Sequence, residues 1–214
     1  FVIDILSFER IDRKNTVFSF TINSNLYLIL LFQRKENEKI IFVDLEMWLK
    51  KLSLLNFKNY AEAELNFVAG VNAFTGDNGA GKTNLLDAIH YLSLCKSYFN
   101  PIDSQQIKNG ADFFMVQGVF EKFEKDETVS VSLKKNQKKQ FKRNKKDYQR
   151  LADHIGLFPI VMISPYDISI IIEGSEERRK FIDNVISQTD NQYLDQLILY
   201  NKNLPNRNAL LKQI

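Results

Sequence analysis

The chain has 214 residues, of which 44% are hydrophobic and 26% charged, with a formal net charge of +3. This length can bury a substantial core, and the composition is that of an ordinary soluble globular protein, which excludes a disordered or fibrous chain. A single cysteine, Cys95, excludes an internal disulfide; no apolar run approaches the ~18 residues of a membrane helix, so no membrane partner and a cytoplasmic location are expected.

Residues 1–46 contain no Gly, Pro or Met, and the first methionine is Met47. Two readings fit them. In one, Met47 is the natural start and the upstream stretch is a read-through extension. In the other, residues 17–22 and 26–32 are strands of a hairpin around Asn23-Ser24-Asn25. Sparse turn punctuation favours the first. From Met47 on, residues 48–57 alternate loosely, as a half-buried strand does. Residues 65–75 read as a strand, with Phe67, Val71 and Phe74 apolar around a turn-forming Gly70.

Next comes Gly76-Asp77-Asn78-Gly79-Ala80-Gly81-Lys82-Thr83, which fills every fixed position of the phosphate-binding pattern G-x-x-x-x-G-K-[ST]. Glycines let backbone N–H groups close on phosphate oxygens, where side chains would block the approach. Lys82 is placed to reach the β and γ phosphates of ATP. Thr83 is placed to offer its hydroxyl to Mg²⁺. A helix must follow, since its N-terminal N–H groups and dipole favour an anion. Leu85, Leu86, Ile89 and Leu92 fall at helical spacing, while Asp87 and His90 point elsewhere. Cys95, after this helix, reads as a buried, inert thiol.

Strands are expected at 113–120 and 128–133. After the second, residues 134–146 carry eight Lys and Arg and no acid, which leaves the remainder of the chain net negative. They read as a hairpin with a basic tip and return strand. Lys138, Lys139, Lys142 and Arg143 are its candidate nucleic-acid contacts, with a solvated face as the plainer reading. Asn144-Lys145-Lys146-Asp147 matches the guanine-reading N-K-x-D, but it follows a run of lysines instead of a buried strand, and Asp153-His154-Ile155-Gly156 lies downstream, where a GTPase has its D-x-x-G upstream. A further strand is expected at 160–163. A helix after Gly174 has Phe181, Ile182, Val185 and Ile186 on an apolar face, with Arg178 and Arg179 at its basic end. A second helical stretch, 191–214, is interrupted at Pro205.

The loop and its tail, through Asn84-Leu85-Leu86-Asp87-Ala88-Ile89, resemble the ATP-binding heads of the RecF and SMC group of ABC-type ATPases. Leu52-Ser53-Leu54-Leu55-Asn56-Phe57-Lys58-Asn59-Tyr60, Lys96-Ser97-Tyr98-Phe99, Ile163-Ser164-Pro165-Tyr166-Asp167, residues 174–183 and residues 207–213 narrow the resemblance to the RecF family of recombination-repair proteins. The resemblance covers 47–214 and implies an α/β P-loop lobe with an antiparallel β part (47–174), followed by a helical segment (175–214). It implies ATP and Mg²⁺ as cofactors, with Lys58, Asn59 and Asn84 joining residues 76–83 around the nucleotide. It further implies DNA, single-stranded or gapped, as partner, an ATP-dependent homodimer, other recombination mediator proteins, and a place in the DNA-damage (SOS) response. Two departures bear on nucleotide sensing near Asp167 and on hairpin shape: Tyr166 stands where the family often has an acid, and Lys145 where a glycine turn is common. No glycine follows Gly174, so there is no Ser-Gly-Gly-Gln-like signature, and no acid directly follows 160–163. The expected object is the N-terminal half of a head, binding ATP without turning it over, its catalytic acid unknown. The rival readings are another SMC-type or nuclease-associated head, and a nucleic-acid-binding module with a vestigial loop.

Overall fold

The computed structural model describes residues 10–12, 15–21 and 27–31 as backbone, and residues 47–164, 167, 172 and 174–212 in full. Three short strands, β1 (Arg10–Asp12), β2 (Asn15–Thr21) and β3 (Tyr27–Leu31), form an antiparallel sheet of their own, with Val17 opposite Leu31 and Thr21 opposite Tyr27. This is the pairing that the hairpin reading expects; its turn, Asn23-Ser24-Asn25, lies outside the described residues.

The second sheet is six-stranded and antiparallel. Its strands are β4 (Met47–Phe57), β5 (Tyr60–Asn66), β6 (Phe113–Lys122), β7 (Lys125–Lys134), β8 (Gln140–Arg143) and β9 (Lys146–Asp147), in the order β5-β4-β6-β7-β8-β9. Period-two alternation puts Phe114, Val116 and Phe120 of β6, and Val129, Val131 and Leu133 of β7, on one buried face. β4 buries Leu49, then Leu52 and Leu54; the three-residue step coincides with a register shift between Leu49 and Lys51. A bulge there adds one residue and so keeps both leucines on the core side. Helix α1 (Lys82–Leu94) packs on this face through Leu85, Ala88, Ile89 and Leu92. Each of the buried Leu and Ile side chains contributes about 1.5–3 kcal/mol of transfer free energy. Gly118 lets helix and sheet approach: a Cβ there would stand 2.7 Å from Leu92 Cδ1 and 3.0 Å from Phe120 Cε2.

Helices α2 (Ser175–Thr189) and α3 (Asn191–Leu211) close the described chain, joined at Asp190, whose carboxylate accepts from the N–H groups of Gln192 and Tyr193. Four sequence expectations are corrected here. Residues 65–75 are not one strand: β5 ends at Asn66, and after Phe67 N–H bonds to Lys50 O no strand among the described residues pairs with the backbone. Residues 160–163 likewise pair with no strand among the described residues; Gln188 of α2 accepts from Ile160 N–H (2.8 Å) and donates to Ile160 O (3.1 Å). Pro205 does not interrupt α3, which runs through it. That helix buries no residue, so the carbonyl deprived of its partner can turn to water. On α2, Phe181 and Ile182 of the expected apolar face are exposed, and Val185 and Ile186 are only half-buried, so that face is not part of the core.

Candidate nucleotide-binding site

The segment 76–81 winds without regular structure into α1, which Lys82 opens as its first residue. Gly79 has φ +87°, a region that L side chains rarely enter, and a Cβ on it would meet nothing within 4 Å. Gly79 is therefore free to take this turn and is exposed to solvent. Lys82 Nζ donates to the carbonyls of Gly76 (2.7 Å) and Asp77 (2.8 Å), which holds the ammonium across the mouth of the loop. Thr83 is exposed on the first turn. The N-terminus of α1 carries no side-chain cap and no acid in its first turn, so its N–H groups and positive dipole end are left for an anion. Lys82 and Thr83, with these amides, fit a triphosphate and its Mg²⁺ by donor chemistry: cation and N–H groups for the phosphates, a hydroxyl oxygen for the metal.

The turn between β4 and β5 holds the loop from behind. Lys58 takes φ +53°; Asn59 Nδ2 donates to Ala80 O (3.3 Å), Tyr60 OH to Gly81 O (3.2 Å), and Asn84 Nδ2 to Asn59 Oδ1 (2.8 Å). Gly81, at φ +105°, is where the two meet. A Cβ on it would fall 2.5 Å from Asn59 Nδ2 and 3.0 Å from Tyr60 OH. Lys58 itself is only 14% exposed and pairs at 2.5 Å with Asp87 of α1. Asp87 also accepts from Ser97 Oγ (2.6 Å) and Tyr98 N–H (2.6 Å), and Tyr98 OH donates to Asp167, whose second oxygen accepts from Ser164 N–H. Burial, then the Asp167 carboxylate, pushes the Tyr98 phenol up to about 12.

Asp87 and His90 were expected to face away from the core; both are buried instead. α1 is covered on all sides from Asp87 to Leu94, with His90 Nδ1 against Lys96 O and its ring edge-on to Tyr98. Desolvation holds the His90 imidazole below its usual pKa. Cys95 is buried, as read, and burial pushes its thiol up to about 12. Tyr60 and Asp87 escaped the sequence reading as site residues; the signal for Asp87 was a carboxylate within an otherwise apolar helix five residues past Lys82.

The basic segment divides. Lys139 is 19% exposed: its ammonium donates to Cys95 O (2.7 Å), pairs with Asp103 (2.8 Å) and lies 5.4 Å from the Tyr91 ring centre. Arg143 forks onto Glu127, holding that carboxyl below its usual range. Lys142 pairs loosely with Asp147 (3.5 Å). Lys138, with Lys134, Lys145 and Lys146, is exposed and in no ion pair with the described residues. Asn144 and Lys145 take φ +49° and +67°, so the tight hairpin turn forms without the glycine.

An AAA domain profile matches residues 51–213. The chain therefore belongs to the P-loop ATPases that carry this domain. The DNA replication and repair protein RecF of Phocaeicola vulgatus is 58% identical over 167 residues, 78% of this chain and 45% of that protein. The solved structure of the recombination mediator protein RecF with ATP, from the RecFOR pathway, is 38% identical with a TM-score of 0.73, over 79% of this chain and 46% of that one. Within its class, the chain belongs to the RecF family. It spans about half the length of the relatives it matches. An SMC ATPase structure, 24% identical with a TM-score of 0.54 over 64% of this chain, shares the fold.

Proposed function

We propose that this chain binds Mg²⁺–ATP on the loop 76–83 and DNA along the cationic rim of its sheet, in the service of recombinational repair and replication restart. The observation that carries the reading is the loop itself: exposed Gly76 and left-handed, exposed Gly79, Lys82 bridging the loop carbonyls, and an uncapped helix N-terminus behind them. The names of the RecF relatives, DNA replication and repair protein and recombination mediator, support the biological setting. Lys82 and the loop amides bind the phosphates, and Thr83 holds the metal; Asn59 and Asn84 fix the turn behind them. Mg²⁺, when bound, bridges phosphate oxygens and neutralises part of their charge. On the DNA side, Lys134, Lys138, Lys145 and Lys146 offer uncommitted charge, and Lys142 adds a loosely held one. Lys139 and Arg143 are committed to the carboxylates of Asp103 and Glu127. The wider setting is an ATP-dependent pair of identical heads acting with other mediator proteins, in the cytoplasm, during the DNA-damage response.

Calorimetric titration of Mg²⁺–ATP into the chain and its Lys82→Ala variant tests the site. Losing a charge-assisted contact of about 2–4 kcal/mol weakens binding tenfold or more. Equal affinity in a folded variant would sink the assignment and favour a vestigial loop on a nucleic-acid-binding module.

A further inference from the structure

We infer that Asp87 is a positioning residue for the phosphate loop, acting through Lys58. This rests on the nucleotide-binding reading above and adds to it a buried clamp. The carboxylate is fully buried, yet three donors converge on it: Lys58 Nζ (2.5 Å), Ser97 Oγ (2.6 Å) and Tyr98 N–H (2.6 Å). An interior charge persists only when paired and hydrogen-bonded, so this constellation fixes Lys58 closely. Lys58 is flanked by Phe57, which is fully buried, and its ammonium lies 5.8 Å from the Phe57 ring centre and 5.7 Å from that of Phe99. The two residues after it, Asn59 and Tyr60, are those that hold Ala80 O and Gly81 O.

The turn is thus tied to α1 at one point and to the end of the loop at two. Gly81 leaves no slack between them, since even a methyl group would collide with Asn59 and Tyr60. If the Lys58–Asp87 tie is removed, the turn loses its anchor on α1, the last loop carbonyls lose their fixed partners, and the amides that face the phosphates lose their orientation. A misplacement on that scale weakens a preorganised site severalfold to a hundredfold.

The test compares Mg²⁺–ATP affinity and thermal unfolding for the unsubstituted chain, Lys58→Arg, the double variant Lys58→Met/Asp87→Asn, and Asn59→Ala. A carboxamide at 87 still accepts from Tyr98 N–H and can donate to Ser97 Oγ while both charges of the pair are removed, so the double variant separates holding the fold from holding the loop. Expected are unfolding temperatures close to the parent for the double variant and Asn59→Ala, ATP binding weakened about tenfold in both, and retention within about threefold in Lys58→Arg. Asn59 is a surface side chain, so Asn59→Ala reports on the loop even if the double variant does not fold. Parental affinity in the folded double variant, or in Asn59→Ala, would overturn the clamp while leaving the nucleotide site in place. Failure of the unsubstituted chain to bind ATP would overturn the nucleotide reading, and the clamp with it.

Discussion

Lys139 offers a sharp separation of two roles that its position in a lysine run confuses. Its ammonium caps the C-terminal end of α1 at Cys95 O, pairs with Asp103 and faces the Tyr91 ring. Lys139→Met keeps most of the aliphatic stem and deletes the charge. It strands a helix-terminal carbonyl and leaves Asp103, 31% exposed, with the Tyr91 hydroxyl but without its cation. A hydrogen bond from a charged group is worth about 1.5–3 kcal/mol, and partial exposure of Asp103 puts the sum near the middle, about 2 kcal/mol. With a urea dependence of about 1–3 kcal/mol per molar, the unfolding midpoint falls by about 1 M. Unfolding followed by the fluorescence of Trp48, the chain's one tryptophan, reads this directly. DNA affinity measured against salt should keep its slope. Lys138→Met gives the mirror image: an unchanged midpoint and a slope shallower by about 0.9 for a lost duplex phosphate contact. An unmoved midpoint with a flattened slope for Lys139→Met would refute the assignment of Lys139 to the interior.

Gly118→Ala drives a methyl group to 2.7 Å from Leu92 and costs about 1–3 kcal/mol by overpacking, read as a lower melting temperature. His154 is fully buried between Tyr148 OH and Leu92 O, and desolvation holds its pKa down at about 4 against 6.5. The unfolded chain therefore binds a proton that the folded one refuses: stability is intact above pH 6.5 and falls by roughly 2–3 kcal/mol as pH drops toward 4, a slope that a folded His154→Gln variant should lack. Steady phosphate release is expected to be negligible for this chain alone, because Asp87 and Asp167 are both engaged by other groups and neither is free to orient water. Lys82-dependent turnover in a purified sample would contradict that.

Much of the fold was written locally. The alternation in 113–120 and 128–133, and the spacing of Leu85, Ile89 and Leu92, correspond to β6, β7 and α1, because each depends only on which side of one element is apolar. The loop was equally legible, since its glycines and lysine are contiguous. What failed was everything that requires knowing the neighbour. Residues 68–75 and 160–163 have strand composition, but a strand needs a partner strand, and among the described residues none pairs with them. Asp87, His154 and Lys139 look like surface residues by type; only the approach of distant Lys58, Leu92 and Asp103 makes their burial tolerable.

The grip of Gln188 on Ile160 has a consequence for association with other chains. Both main-chain groups of an extended, apolar residue are engaged by one side-chain amide, with the geometry that a passing peptide would otherwise supply. Buried beside it, Val161 cannot present a continuous sticky border. An unpaired apolar ribbon of this kind is a template for intermolecular pairing and fibril growth. The glutamine works as a gatekeeper: it imitates a peptide group of an adjoining strand at a single rung, and so blocks the recruitment of a real one.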